Sequence, residues 1–374
     1  MLPLARLIDR ALGPVNGPLE TGRSPPFWLI FLGVVAVLVI APSFLSRYEL
    51  LNFSNFLTNI FLALGLCLIW GYAGILSLGQ SAFLGLGGYA YGVVGINLIE
   101  AHGNTWLALL AGLGFPVLVA ALLGWIMFYA RLKGVYVAIL MLVVTLLIET
   151  FLNQTAGQGW SIGLAHLGGN NGLGRFSGVI REPPSLTLGF SADAMMIFGG
   201  KTRAFYYLIV GLGVVSYLGL RALVNSRLGH VLVAIREDPD RTETLGYDVR
   251  RLQLGVFCLS ALLASLSGIL YVSWGNFITP NVFGVYYNIL PVIWVAVAGR
   301  KSLTATVLGA VFLVWLSQKL AIQGDIAFVV LGFILLGGMM LLPEGVITGI
   351  GERIGRLFDR LGIGAATRGG RHGG

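Results

Sequence analysis

Residues 106–129 read WLALLAGLGFPVLVAALLGWIMFY, a run without a single charged side chain. Because a helix rises about 1.5 Å per residue, this run is long enough to cross the roughly 30 Å hydrocarbon core of a bilayer. Further apolar runs of similar length lie on both sides of it. They are continuous rather than alternating, so they predict membrane helices and not the short strands of an outer-membrane barrel.

The composition also fits a protein that is embedded in lipid. Hydrophobic residues make up 56% of the 374 residues and charged residues only 11%, whereas about one quarter of a soluble domain is charged. The mean hydropathy of +0.86 therefore excludes a soluble globular protein, a disordered chain and a coiled coil. The 54 glycines are in keeping with close packing of membrane helices. Cys67 and Cys258 each lie inside an apolar run, which predicts buried thiols without a disulfide.

Ten apolar runs are candidates for transmembrane helices. The predicted fold class is all-α, a polytopic helical membrane protein with about ten transmembrane helices. The third run is crowded with glycine and the eighth is short and contains Pro291. Eight spans would also fit if two weak runs, such as 75–99, were re-entrant. The predicted spans are residues 27–45, 52–70, 75–99, 106–129, 134–152, 203–221, 252–274, 286–299, 302–321 and 326–342.

The distribution of basic residues predicts the orientation. With a cytoplasmic N-terminus, the segments on the cytoplasmic side contain 18 of the 24 Lys and Arg residues. The positive-inside rule favours this arrangement, which places both termini in the cytoplasm and requires an even number of spans. The same distribution indicates that the net charge of +8 reflects the orientation of the spans in the membrane rather than nucleic-acid binding. The other six basic residues lie in outer segments or at span ends: Arg47, Arg175, Arg181, Lys201, Arg203 and Lys319.

No separate soluble domain is predicted. A cytoplasmic segment, 1–26, precedes a transmembrane domain, 27–345, and a cytoplasmic tail follows at 346–374. The first apolar run begins too far into the chain for a signal peptide and lacks a small-x-small cleavage site, so we expect a retained helix. Two polar connections are long: 153–202, which we expect to be periplasmic, and 226–251, which we expect to be cytoplasmic.

The sequence lacks the motifs of several enzyme classes. It has no G-x-x-x-x-G-K-[ST] nucleotide loop, no G-x-S-x-G nucleophile elbow and no Cys/His spacing typical of a metal site. Ionisable residues are scarce within the predicted spans, which disfavours a proton relay. Glu149, near the outer end of the fifth span, is either a residue at the membrane rim or part of a solute path.

The segment from Gly71 to Gly92 reads GYAGILSLGQSAFLGLGGYAYG and contains seven glycines. Glycine favours irregular backbone, which persists at membrane depth only against protein or a water-filled cavity. Ser77, Gln80 and Ser81 are therefore candidates for lining a translocation path. The alternative is close helix packing through Gly88 and Gly92, with the polar side chains bonding between helices. The two interpretations are compatible.

The connection at 226–251 reads SRLGHVLVAIREDPDRTETLGYDVRR and mixes basic with acidic residues. Asp238 before Pro239 is typical of a helix N-cap and first position, and Gly246 of the left-handed residue that follows a helix. We therefore predict a short helix over 239–245. It is suited to docking a partner protein, and a solvated connector is the alternative. The candidate docking residues are Arg236, Glu237, Asp238, Asp240, Arg241, Thr242, Leu245 and Gly246.

These two stretches resemble the permease subunits of ATP-binding-cassette (ABC) importers of the branched-chain amino acid family. In that family a G-x-x-G-x-x-S-L-G-Q-x-x-F pattern recurs, and the cytoplasmic loop reads A-I-R-E-[DN]-x and ends in Gly. A third similar stretch is VIWVAVAGRKSLTATVLGA, residues 292–310. The resemblance extends over about residues 50–345. The matching residues are Gly71, Gly74, Ser77, Leu78, Gly79, Gln80 and Phe83 in the first pattern, and Ala234, Ile235, Arg236, Glu237, Asp238 and Gly246 in the second.

Within the family, the details are most similar to the urea-type permease. The D-R-T at 240–242 and the I-W-V-A-V at 293–297 resemble that branch. His230, Ala298 and Lys301 depart from the residues more usual in the family, and these departures do not touch the predicted docking helix.

The resemblance implies a transporter subunit rather than an enzyme, without a cofactor of its own. Two ATP-binding-cassette ATPases would bind ATP and dock on the cytoplasmic loop, beside a second homologous permease and under a periplasmic substrate-binding protein. The location would be a bacterial inner membrane. The implied substrate is urea or a related small amide, and a branched-chain amino acid is the alternative. A stand-alone channel or secondary carrier is a hypothesis of a different class.

Two further groups of residues are candidates on the outer side. Asn170 and Asn171, in the glycine-rich run LGGNNGLGRF at 167–176, are turn formers that could also meet a substrate-binding protein or close an outer gate. Trp160, Trp274 and Trp294 lie at predicted span ends, where tryptophan is typical of an interfacial anchor. Trp294 is a candidate for the solute path as well.

Overall fold

The computed structural model describes residues 19, 25–132, 134–157, 159–174, 182–188, 196–198, 203–321, 332–333 and 337. The cytoplasmic tail predicted at 346–374 lies outside the described residues. So do most of the N-terminal segment 1–26, most of the tenth predicted span at 326–342 and parts of the connection 153–202.

The described part of the chain is mainly helical, and its helices follow the predicted apolar runs. A π-helical turn, Cys67–Tyr72, continues α2 without a break. The helices are α1 Pro25–Ile40, α2 Arg47–Leu66, α3 Gln80–His102, α4 Trp106–Tyr129, α5 Val135–Gln154, α6 Arg203–Asn225, α7 Arg227–Glu237, α8 Pro239–Thr244, α9 Val249–Gly275, α10 Val285–Ala298 and α11 Leu303–Ala321.

Six of these helices are long and apolar enough to cross a membrane, namely α2 with its π turn, α3, α4, α5, α6 and α9. Three shorter apolar helices, α1, α10 and α11, correspond to the first, eighth and ninth predicted spans. The helical membrane class is thereby supported. The count of about ten spans and the location of the termini stay predictions.

The connection between α5 and α6 departs from the all-α expectation, because it contains two small antiparallel sheets. Strand β1 (Ser161–Ile162) pairs with β2 (Ala165–His166), and β3 (Leu186–Leu188) pairs with β4 (Met196–Phe198). They lie at one end of the bundle, called the sheet end below. The opposite end, called the α8 end, carries α7 and α8.

Helices α2 and α9 run antiparallel and are joined by three hydrogen bonds in register. In each, a side chain of α9 donates to a backbone carbonyl oxygen of α2, and successive bonds are two helical turns apart. Positions at that spacing lie on one face of a helix, so the bonds fix how the two helices slide along each other. The pairs are Ser260 with Gly65, Ser267 with Thr58 and Trp274 with Leu51, at 2.7, 2.8 and 2.9 Å.

Glycines bring α3 close to α9. A Cβ at Gly268 would overlap the carbonyl oxygen of Leu84, so no larger residue fits there without moving the helices apart. Gly88 faces Gly268 and other residues of this contact, which confirms the predicted close packing at this position. Gly92 differs, because it faces the connection after α5 at Leu173 and Pro183 rather than another helix.

The third predicted span, 75–99, needs a correction. The helix begins only at Gln80 and continues to His102, and residues 73–79 are not helical. Gly74 has a left-handed backbone with φ +75°, a conformation that breaks a helix and that glycine adopts readily. The Nε2 of Gln80 donates to Ser260 in α9 at 2.8 Å. Because Ser260 lies well inside α9, α3 begins inside the bundle rather than at the α8 end.

Helix α10 is short for a related reason. After α9 the chain folds back along α3, where the ring of Phe283 packs against Gly85 and Tyr89. The first turn of α10 then lies beside the first turn of α3, and Ser81 hydrogen-bonds Asn288 there. A helix of this length spans only about 21 Å. It begins inside the bundle and ends at the α8 end, at the turn that contains Arg300.

Candidate functional site

The α8 segment folds as the sequence predicts, on local rules alone. The Asp238 carboxylate accepts hydrogen bonds from the backbone N–H groups of Asp240 and Arg241, at 3.1 and 3.0 Å, and caps the helix. Pro239 occupies the first helical position. Gly246 follows with φ +91° and ends the helix. The helix runs from Pro239 to Thr244, with Leu245 as its C-cap.

Ion pairs connect the surface of α8 to the bundle. The Glu243 carboxylate lies 3.5 Å from Arg131, in the turn after α4, and 3.6 Å from Arg250 in the first turn of α9. All three side chains are partly exposed, so each pair contributes little to stability by itself. Leu245 leaves 75% of its surface exposed at the end of α8. A large exposed apolar side chain beside charged residues is suited to contact with another protein.

Two of the predicted docking residues, Arg236 and Thr242, have side chains that point into the protein instead of outwards, and the docking assignment itself stays a prediction. Thr242 is buried, and its hydroxyl donates to the Asp238 carbonyl oxygen at 2.9 Å. The Nη1 of Arg236 donates to the Gly71 carbonyl oxygen at 2.6 Å. Arg236 also bonds the exposed Glu237 carboxylate, which lowers the pKa of Glu237 below its usual value. Asp240, Arg241 and Leu245 remain on the surface.

The bend at 71–74 is held from two sides, and we call this contact the clamp. On one side, Arg236 contacts the exposed Gly74, where an added Cβ would come within 2.7 Å of the Arg236 Cγ. On the other, Cys67 and Tyr72 contact the carbonyl oxygens of Arg300 and Lys301 at 3.4 and 3.2 Å. The clamp therefore joins three pieces of chain: the end of α7, the bend that links the π turn of α2 to segment 73–79, and the turn between α10 and α11.

A cavity of about 250 Å³ lies between α2, α3, α9, α10 and α11. None of the described residues that line it is charged, and most are aromatic or aliphatic. Its neutral polar residues are Asn55, Asn59, Ser81 and Ser317, and its aromatic residues are Tyr271, Trp274, Phe277, Tyr286, Tyr287 and Trp294. Such a lining can hold a solute by apolar contact and neutral hydrogen bonds.

The structure places the predicted path residues at different points. Ser81 and Trp294 line the cavity. Gln80 is buried beside it and bonds Ser260. Ser77 is buried in the non-helical segment, where its hydroxyl accepts from the Gly79 N–H at 3.3 Å. Glu149 does not line the cavity; its carboxylate lies beside Gly284, at the N-terminus of α10, where a negative charge is favourable.

The outer-side candidates fall on the sheet end. Asn170 and Asn171 are exposed on the 3₁₀ turn Gly169–Asn171, in keeping with the predicted turn. Trp160 is half exposed, as an anchor would be. Trp294 is only 4% exposed and lies inside the bundle, so it is not an interfacial anchor. Trp274 bonds α2 and borders the cavity.

Sequence reasoning missed the amides that accompany Ser81 and Trp294. Asn55 and Asn59 lie one helical turn apart in α2, and Asn288 lies in the first turn of α10. In the sequence, the only sign of them is that three amide side chains stand within apolar runs. Only the tertiary contact between α2, α3 and α10 shows that they share one region.

The comparison with known proteins finds a match that includes both the clamp and the cavity. A family model described as "Branched-chain amino acid transport system / permease component" matches residues 51–342, which include both the clamp and the cavity. The chain belongs to this family. It is thus a permease component of an ABC transporter and not an enzyme; it has no cofactor of its own, and nucleotide binds on partner ATPases. The family also implies a substrate-binding protein as a partner.

Several curated proteins are similar to this permease. The high-affinity branched-chain amino acid transport system permease protein LivM of Escherichia coli K12 is 28% identical over 337 residues, which cover 85% of this chain and 74% of LivM. LivM of Salmonella typhimurium LT2 is 28% identical, with 92% and 81% covered. The ribose import permease protein RbsC of Escherichia coli K12 is 25% identical, with 79% and 84% covered. No solved structure matches this chain.

The contact between Ser81 and Asn288 yields a stability prediction. Ser81→Ala removes a buried hydroxyl that bonds the Asn288 side chain across two helices. It leaves the Asn288 carbonyl oxygen without that donor, so we expect the unfolding free energy to fall by about 1–3 kcal/mol. The measurement is thermal unfolding of the purified permease in detergent.

Ser54→Ala is the matched control. Its hydroxyl is equally buried but donates at 2.8 Å to Leu50 within its own helix, so its loss should cost much less. Equal melting temperatures for the two variants would contradict the bond between α3 and α10.

Proposed function

We propose that ATPase subunits bind α8 and drive a conformational change of this permease, and that the clamp transmits this change to the cavity. The observation that supports the proposal most is the continuity of contacts. Helix α8 begins three residues after Arg236, Arg236 bonds the Gly71 carbonyl oxygen, and the segment 73–79 leads into Ser81 at the cavity.

The proposed assembly follows the predicted topology. Two ATPases would bind at the α8 end on the cytoplasmic side, and a substrate-binding protein would meet the sheet end, where Asn170 and Asn171 are exposed. A second homologous permease would complete the membrane part. The excess of Lys and Arg in the segments of the α8 end supports this orientation, in the inner membrane of a bacterium.

In the proposed cycle, ATP binding displaces α8, and α7 moves with it because only Asp238 separates the two helices. The Arg236 guanidinium then shifts the bend at Gly71. Segment 73–79 and the turn at Arg300 adjoin that bend, so α3 and α10 shift relative to each other. Their contact at Ser81 and Asn288 is where such a shift would change access to the cavity.

For the substrate, we propose a branched-chain amino acid. The relatives named LivM are branched-chain amino acid permeases by their names. The cavity adds support because its aliphatic and aromatic side chains suit an apolar side chain. The name RbsC states ribose for a relative with a lower identity, 25%, so ribose has less support than a branched-chain amino acid.

Urea is the second candidate. The stretch at 293–297, which resembles the urea branch, contains Trp294 at the cavity, and the uncharged lining suits a neutral amide. The relatives' names give urea no support, so it ranks below a branched-chain amino acid.

The docking proposal predicts the effect of Leu245→Glu. A charged residue at this exposed apolar position should disrupt an interface that buries it. We expect co-purification of the ATPase subunits with the tagged permease to fall about tenfold, while membrane insertion is unchanged. Leu164→Glu is the control, because Leu164 is also exposed but lies at the sheet end. Loss of ATPases in both variants, or in neither, would refute docking at α8.

The substrate proposal predicts uptake by the assembled transporter in proteoliposomes. With ATP, ATPases and binding protein, L-leucine or L-isoleucine should accumulate, and urea should not. Permease alone should transport neither. Accumulation of urea would favour the second candidate, and gradient-driven uptake by the permease alone would favour a stand-alone carrier over both.

A further inference from the structure

Another cavity, of about 150 Å³, lies at the α8 end between α8, the turn after α4 and the start of α9, and we call it the α8 pocket. Its described lining is mixed in charge. Arg236 is already engaged by the Gly71 carbonyl oxygen and the Glu237 carboxylate, which leaves two arginines and two carboxylates whose charges balance. Such a lining suits a zwitterion better than a simple anion or cation. The four charged residues of this balanced set are Arg131, Arg250, Asp240 and Glu243.

Arg131 and Arg250 have hydrogen-bond donors to spare for a ligand. One nitrogen of each guanidinium lies near the Glu243 carboxylate, at 3.5 and 3.6 Å, whereas a strong charge-assisted hydrogen bond is about 2.7–2.9 Å long. A guanidinium has several N–H donors, and within the described part of the chain Glu243 is the only acceptor for these two. A phosphate group between them would bind donors that the fold does not use.

Arg131 occupies a position at which glycine is normally favoured. Its backbone is left-handed, with φ +57°, and it ends α4 in a Schellman motif, in which the Leu132 N–H donates to the Met127 carbonyl oxygen at 2.9 Å. A side chain there costs backbone free energy relative to glycine, and the exposed pair with Glu243 offsets little of that cost. A ligand therefore explains this arginine better than folding does.

An exposed face of α4 leads from the apolar surface of the bundle to the α8 pocket. Its residues are four, three and four positions apart, which places them on one side of the helix. The ring of Tyr129, the last of them, lies 5.9 Å from the Arg250 guanidinium. Leucines followed by aromatic rings and then by arginine is the order in which a protein surface meets the acyl chains and headgroups of a bilayer. The residues of this face are Leu118, Leu122, Trp125 and Tyr129.

We propose that the α8 pocket binds the zwitterionic headgroup of an aminophospholipid such as phosphatidylethanolamine. The phosphate lies between Arg131 and Arg250, the ammonium group meets Asp240, and an acyl chain runs along the exposed face of α4. The lipid thereby connects α8 to the turn after α4, beside the Glu243 pairs. An effect of the lipid on coupling rests on the proposed docking at α8, whereas its binding does not.

The test is lipid binding to the purified full-length permease, measured by native mass spectrometry in detergent. Phosphatidylethanolamine is compared with phosphatidylglycerol of the same acyl chains, which has the phosphate but no ammonium group. We expect the dissociation constant for phosphatidylethanolamine to be at least about tenfold lower. Arg131→Gly should raise it about tenfold without lowering the melting temperature, because glycine suits the left-handed backbone at this position.

Two further variants distinguish the two charged groups of the lipid. Asp240→Asn removes the charge that faces the ammonium group, so it should weaken binding of phosphatidylethanolamine but not of phosphatidylglycerol. Arg250→Ala should weaken binding of both lipids. Its control is Arg251→Ala, in the same turn of α9, because Arg251 pairs with Asp248 and is not among the described lining residues.

The site is refuted if Arg131→Gly binds phosphatidylethanolamine like wild type, if phosphatidylglycerol binds equally well, or if Arg251→Ala loses as much affinity as Arg250→Ala. Glycerophosphoethanolamine, the same headgroup without acyl chains, should compete at least about tenfold more weakly than the lipid. Equal competition would identify a soluble zwitterion as the ligand and overturn the lipid. Failure of the proposed function differs from these outcomes, because the ATPases would then not co-purify while the lipid still bound.

Discussion

The hydrogen bond from the Arg236 guanidinium to the Gly71 carbonyl oxygen is the contact on which the arrangement of the α8 end depends. It ties the end of α7 to the bend that follows α2, and the backbone of that bend is itself packed against Arg300. Arginine suits this position because its planar group has several donors, so it can hold Gly71 and the Glu237 carboxylate together. The clamp thereby links a surface helix to two helices that start inside the bundle.

Satisfaction of polar groups explains why those helices can start so deep. Non-helical backbone at membrane depth persists only where protein or water meets its polar groups. Segment 73–79 packs against Arg236 of α7 at Gly74 and against Met141 of α5 at Gly79. Ser77, Gln80 and Ser81 each form a hydrogen bond with neighbouring backbone or side chains, and the Gln80 Oε1 has no partner among the described residues. In the core, the hydroxyls of Ser260 and Ser267 in α9 likewise donate to backbone carbonyl oxygens of α2, and these bonds fix the register of the central helix pair.

Local sequence rules predict part of this structure, and they fail where a feature depends on contacts between residues distant in sequence. The capped helix after Asp238 follows from the N-cap, the proline and the left-handed glycine, all within nine residues of chain. The start of α3 at Gln80 does not, because its position depends on a contact with Ser260 that is distant in sequence. The inward orientation of the Arg236 side chain could not be predicted for the same reason, since a charged residue in a polar connection is normally exposed.

The same limit applies to the cavity. A glycine-rich segment with Ser and Gln predicts either close packing or a solute path, and the structure has both: Gly88 packs against α9, and Ser81 lines the cavity. The buried position of Trp294 could not be predicted, because a tryptophan near the end of a short apolar run is more typical of a membrane interface. That α10 begins inside the bundle accounts for the difference.

The most direct test of the account is the number of solute molecules transported per ATP in the reconstituted transporter, compared for Arg236→Ala, Arg236→Lys and Arg251→Ala. Arg251 is a matched control because it is exposed and pairs only with Asp248 among the described residues. We expect Arg236→Ala to assemble with the ATPases but to transport at least about tenfold fewer solutes per ATP. Arg236→Lys should recover part of this loss because it retains a hydrogen-bond donor. Arg251→Ala should behave as wild type. Unchanged solute transport per ATP in Arg236→Ala would contradict this account.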